Sequence, residues 1–113
     1  MSRKHSLDAL AREELAAASR AAAKRASRTV VGGHERSMRQ TVVALLADAT
    51  LAEHENPGES TVYVIKGRVE VHAGADSWEG RSGDLLEIPP QRHSLHAIED
   101  SAVLLTVVLR GRE

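Results

Sequence analysis

Cysteine is absent from the 113 residues, which excludes disulfides, thiolate nucleophiles and cysteine-ligated zinc or iron–sulfur centres together. Phenylalanine is absent too, and Tyr63 and Trp78 are the only aromatic rings. So few rings argue against a stacking platform for single-stranded nucleic acid. Long apolar runs are missing: the longest, such as residues 42–47, fall far short of the ~20 residues that span a bilayer. The first ten residues hold no apolar stretch leading to a small-residue cleavage site, so the cytoplasm is the expected location. No Gly-x-Ser-x-Gly turn and no glycine-rich phosphate loop occurs, which removes support for serine-nucleophile and phosphate-loop chemistry.

What is present suits one small domain. A 12.2 kDa chain with 42% hydrophobic and 27% charged residues is an ordinary globular composition. At this length folding buries roughly 65% of the unfolded chain's surface, enough for one modest core. The formal charge of −1 hides an asymmetry. Residues 1–28 carry seven Lys/Arg against three Asp/Glu, and the remainder eight against thirteen. A basic arm for nucleic acid is one reading of that split. The preferred reading is that Arg20, Lys24, Arg25 and Arg28 complement the negative end of their own helix dipole, since the patch is short and has no reading-helix partner. Neither membrane nor nucleic acid is an expected partner.

Patterning divides the chain into a helix and then strands. Ser6 reads as an N-cap with Asp8 in the first turn, and residues 7–26 are rich in strong helix formers. Leu7, Leu10, Ala11, Leu15, Ala18 and Ala22 form an apolar stripe able to dock on a neighbouring surface. Strands are expected at residues 29–31, 38–47, 60–66, 68–72, near Trp78, and at 85–88, 94–98 and 101–109, with turns at Gly32-Gly33, Asn56-Pro57-Gly58 and residues 73–76. Residues 42–47 are apolar at both parities, which predicts a strand covered on both faces. The whole is an all-β sandwich or barrel preceded by one helix.

Two stretches carry a resemblance. Residues 54–67 read HENPGESTVYVIKG, and residues 83–96 read GDLLEIPPQRHSLH. Together they resemble the two motifs of the cupin superfamily, G(X)5HXH(X)3-4E(X)6G and G(X)5PXG(X)2H(X)3N. The YVIKG of residues 63–67 and the GDLL…IPP of residues 83–90 are the most specific parts, and the resemblance covers about residues 38–108. It implies a double-sheet jelly-roll barrel over residues 29–113, preceded by a helical extension over residues 1–28. It also implies a homodimer, with the N-terminal segment or an edge strand at the interface.

In typical cupins two histidines and a glutamate of the first motif, with a histidine of the second, hold a divalent metal inside the barrel. Counted back from Gly67, those positions read His54, Asn56 and Ser60. If the loop has gained a residue, His54 becomes the second histidine, Ala52 replaces the first, and Glu59 stands in for the carboxylate. Glu59 and Ser60 cannot both face inward on a regular strand. His93 is the best counterpart of the third histidine, one residue early, and Gln91 replaces the family glycine. His96, three residues later, belongs on the opposite face. His5, His34 and His72 are expected to be exposed.

The resemblance therefore implies either one divalent ion (Zn, Fe, Mn, Ni or Cu) on His54, Glu59 and His93, or none. In the latter case His54, Glu59, Tyr63 and His93 would line a pocket for a small-molecule ligand. Imidazole and carboxylate donors with open positions suit such metals. Tyr63 and Trp78 could equally be simple packing residues, and Arg39, Arg68 and Arg92 could receive an anion or merely face water. The leading expectation is a small-molecule- or ion-binding domain. The alternative is a metal-dependent oxygenase- or isomerase-like enzyme, and a DNA-contacting sensor is the weakest reading.

Overall fold

A computed structural model describes residues 3–54 and 58–109, apart from the side chains of residues 53 and 54. The chain opens with α1 (Leu7–Ser19), capped as the sequence predicts. Ser6 is extended and its hydroxyl accepts from the Ala9 amide at 3.2 Å, satisfying one of the orphan donors of the first turn. The helix stops well short of residue 26. Arg20 and Ala21 close it with tight bonds to the Ala17 and Ala18 carbonyls, and Lys24 takes a left-handed turn at φ 58°. Helix propensity is high through residues 20–26, but strand pairing overrides it: β1 (Arg25–Val31) starts there and pairs antiparallel with β2 (Met38–Leu45).

That early strand dismantles the expected basic helix end. The last helical turn contains no basic residue. Arg25 instead donates to the Thr50 carbonyl at 3.3 Å, and Arg28 reaches back to Glu13 and Glu14 at 3.1 Å each. The dipole account of these arginines is therefore replaced by ion pairing and sheet bridging.

After β2 come β3 (Thr50–His54), β4 (Gly58–Lys66), β5 (Arg68–Ala73), β6 (Asp76–Arg81), β7 (Leu85–Ile88), β8 (His93–Ala97) and β9 (Ser101–Leu109). β3 is a strand that patterning did not suggest, and of the expected turn at 56–58 only Gly58 lies among the described residues. Five strands form one sheet in the order β1-β2-β9-β4-β7, and four form the other in the order β3-β8-β5-β6. Their pairings are antiparallel throughout, and the two sheets enclose one core as a jelly-roll barrel.

The double parity of β2 has a direct cause. Val43 and Leu45 point into the barrel and join its core. Val42 and Ala44 point outward, yet both are fully buried, because α1 packs across that outer face of β1, β2 and β9. Ala11 and Ala18 supply the close approach. Glu14 sits in the same stripe, 5% exposed, where the Arg28 guanidinium neutralises it.

At the closed end, the β4–β5 hairpin is tied to the start of β9. The buried Ser101 hydroxyl accepts from the Arg68 amide at 3.0 Å and lies 3.1 and 2.7 Å from the Arg68 and Glu99 carbonyls. Gly67 turns there at φ 93°, and a Cβ on it would come within 2.4 Å of the Asp100 carbonyl oxygen. Only glycine meets both demands.

Candidate functional site

The opposite end of the barrel is the mouth, where β4 and β8 begin. Alternation along β4 sets the faces. Gly58, Val62 and Val64 are buried, whereas Glu59 is exposed. Ser60 pairs across the ladders with the buried Ile88 and with Val107, so it shares their inward face. Glu59 falls on the outer face beside Val108. Of the two registers left open by the sequence, Ser60 is the inward residue.

Tyr63 is likewise on the outside. Its ladder partners are Leu85, which is 63% exposed, and Leu104. Neither Glu59 nor Tyr63 is brought to His93. Arg39 aligns with Val107 and therefore shares the inward face of Ser60, two strands away, while remaining exposed at the mouth.

His93 opens β8 and is 5% exposed. Strict alternation follows it, with Leu95 and Ala97 inward and His96 on the other face. His96 there bonds the Thr50 hydroxyl at 2.9 Å through Nδ1, and its Nε2 lies 3.7 Å from Asp48. The register sets His54 directly opposite His93 across β3 and β8; the His54 side chain lies outside the described residues. His5, His34 and His72 are exposed as expected, His72 within 2.6 Å of the Glu70 carboxylate.

The His93 ring is oriented by its own loop. Nδ1 is 3.1 Å from the Gln91 carbonyl oxygen. A carbonyl only accepts, so Nδ1 is the donor in this contact and the ring plane is set by it. Gln91 is thus more than a replacement for the family glycine: its carbonyl orients the histidine two residues further on. The ring lines a cavity of about 20 Å³ with Val43, Val62, Ile88, Val103 and Leu105. That is room for about one water molecule.

A carbonyl-oriented imidazole is also how metal-ligating histidines are held. The donor set is nevertheless too small. The inward position that would supply a carboxylate is Ser60, Glu59 faces away, and among the described residues no three His, Asp or Glu side chains converge. The described residues do not fit a resident divalent ion of the His/His/Glu kind.

Comparison with solved structures places this arrangement. A conserved protein of unknown function from Streptococcus pyogenes is 27% identical with a TM-score of 0.69, over 75% of this chain and 74% of that one. A double-stranded β-helix protein from Klebsiella pneumoniae is 19% identical with a TM-score of 0.77, over 100% of this chain and 95% of its own. KdgF from Halomonas sp. is 21% identical with a TM-score of 0.65, over 76% of this chain and 81% of that one. The last two likenesses concern the fold alone. No curated protein matches. No helix among the described residues is long and apolar enough to cross a membrane. Residues 41–109 match the family described as "Cupin domain", a span that runs from within β2 to the end of β9 and takes in both motif stretches and the His93 mouth, and the chain therefore belongs to the cupin family.

Proposed function

We propose that this cupin domain binds a small molecule at the barrel mouth, with His93 as its polar anchor and His54 beside it. The observation that carries the reading is the buried His93 imidazole, oriented by Gln91 and lining a small, mostly apolar cavity. A few oriented polar groups in apolar walls are what small-molecule sites use for specificity. An imidazole held in this orientation suits a ligand that carries a hydroxyl or amine group. Because the cavity holds only about 20 Å³, the ligand's body stays at the mouth and only its donor group approaches His93. Arg39, on the same inward face, suits a carboxylate on the ligand's outer end. Small hydroxy acids combine these features.

The test is thermal denaturation and calorimetry with lactate, malate and tartrate, comparing the wild-type chain with His93→Leu. Saturable stabilisation of the wild type that vanishes in His93→Leu is the expected result. Equal responses in both proteins would overturn the reading. Elemental analysis runs beside it. About one Zn, Fe, Mn, Ni or Cu per chain, lost in both His54→Ala and His93→Ala, would replace it with a metal-dependent activity.

We further propose, from the family likeness, that the chain forms a homodimer. Its support is the outer face of the five-stranded sheet beyond α1, where Met38 is 44% and Leu85 63% exposed. Leu104 and Tyr63 continue that apolar surface beside Leu85.

A further inference from the structure

We propose that a notch on the barrel rim, between β6 and the loop after β7, binds a small organic cation of the alkylammonium type. The notch has a volume of about 490 Å³ and is lined by Asp76, Trp78, Glu87, Pro89, Pro90 and Gln91, together with the buried Ile88. It shares only Ile88 with the cavity at His93, and its assignment does not depend on the reading of that site.

Three features define its chemistry. The first is the wall. Trp78 pairs with the buried Val71, packs partly against the core and also lines the notch. Pro89 and Pro90 form a second wall with little side-chain freedom to lose, braced by the Gln91 amide bonding the Pro89 carbonyl at 2.8 Å. The second feature is depth. Further along the same seam Gly80 lies against Leu86, so close that a Cβ would meet Leu86 Cδ1 at 2.8 Å. The seam between β6 and β7 is thus shut behind the notch and open at the rim.

The third feature is charge. Asp76 and Glu87 are both exposed, and no lysine or arginine lines the notch among the described residues. An indole and two exposed carboxylates lining one notch favour a cation that is itself partly apolar. A bare divalent ion is a poor match, because no three metal-ligating side chains converge among the described residues. A neutral apolar ligand would gain the indole but nothing from the carboxylates.

Trp78 is the only tryptophan in the chain, so its fluorescence reports occupancy directly. The full chain is titrated with choline and, in parallel, with 3,3-dimethyl-1-butanol, the neutral isostere. A saturable emission change with choline and a much weaker one with the alcohol is expected. In the double variant Asp76→Asn, Glu87→Gln, choline affinity falls at least about threefold. Both positions are exposed, so its melting temperature stays that of the wild type. Trp78→Leu, followed by calorimetry, loses roughly three- to thirtyfold, the range of a cation–aromatic contact. Equal responses to choline and the alcohol, no saturable response, or an unchanged affinity in the carboxylate variant would each overturn the proposal.

Discussion

Two neighbouring residues on β4 illustrate how much one position decides. Glu59 is the more chemically suggestive residue in the sequence, and Ser60 is the one that faces the barrel. The strand's period of two makes the choice binary, but the sequence contains nothing that sets its phase, because Pro57-Gly58 just upstream could have turned either residue inward. The ladder to Ile88 sets the phase. Glu59→Ala is accordingly expected to change stability by less than about 0.5 kcal/mol, as exposed substitutions do, and to leave the response to hydroxy acids intact; chemical denaturation and calorimetry measure the two. The opposite holds at the closed end. Ser101→Ala removes a hydroxyl that serves one amide and two carbonyls, at a cost of about 1–3 kcal/mol. Gly67→Ala combines a positive φ with a clash against the Asp100 carbonyl and should cost more than about 2 kcal/mol. The two sites touch, so the double variant will fall short of the sum.

Among the elements, α1 is where local preference and tertiary demand diverge most. Its start was readable because a cap is a local bond between Ser6 and Ala9. Its end was not, because nothing local stops a run of alanine, lysine and arginine. What stops it is β1, whose ladder to β2 begins at Arg25 opposite Leu45. The strand also delivers Arg28 to Glu14, the one buried carboxylate under the helix. Arg28→Ala leaves that carboxylate without its cation and should weaken the fold by about 1–3 kcal/mol. Adding Glu14→Leu should recover most of the loss, since the apolar side chain has no charge to neutralise. Equilibrium denaturation of the two variants checks both signs. A failure of Glu14→Leu to rescue would mean that the ion pair orients the helix rather than merely cancelling a charge.

For the molecule as a whole, the central question is what covers the rest of the five-stranded sheet. α1 shields β1, β2 and parts of β9 and β4, and the exposed apolar residues outside its cover are Leu85, in a row with the half-buried Tyr63 and Leu104, and Met38, beside Val108. A second copy of the chain is the expected cover. Sedimentation at micromolar concentration should show a dimer, and Leu85→Lys with Met38→Lys should shift it to monomer without lowering the melting temperature of the monomer. A wild-type monomer at that concentration would remove the homodimer. The topology itself also has a kinetic consequence. β9 is central, paired on one side with β2 and on the other with β4, so the sheet cannot close until both ends of the barrel segment meet. Refolding in the millisecond-to-second range is expected for such non-local pairing, and stopped-flow measurement of the Trp78 signal tests it.

Several features of this protein were determined by its sequence alone, because each depends on residues close together in the chain. The cap at Ser6, the β-branched runs, the glycine and proline turns and the two motif stretches all act over a few residues, and they sufficed for a helix followed by a jelly-roll barrel. The double parity of residues 42–45 even announced that something covers the outer face of β2. What covers it, where α1 ends, that β3 exists at all, and which way Glu59, Ser60 and Tyr63 point were decided only by tertiary structure. Those outcomes depend on ladder register and packing between residues tens of positions apart, such as Ser60 with Ile88 and with Val107, and short-range patterns hold no information about which distant partner wins.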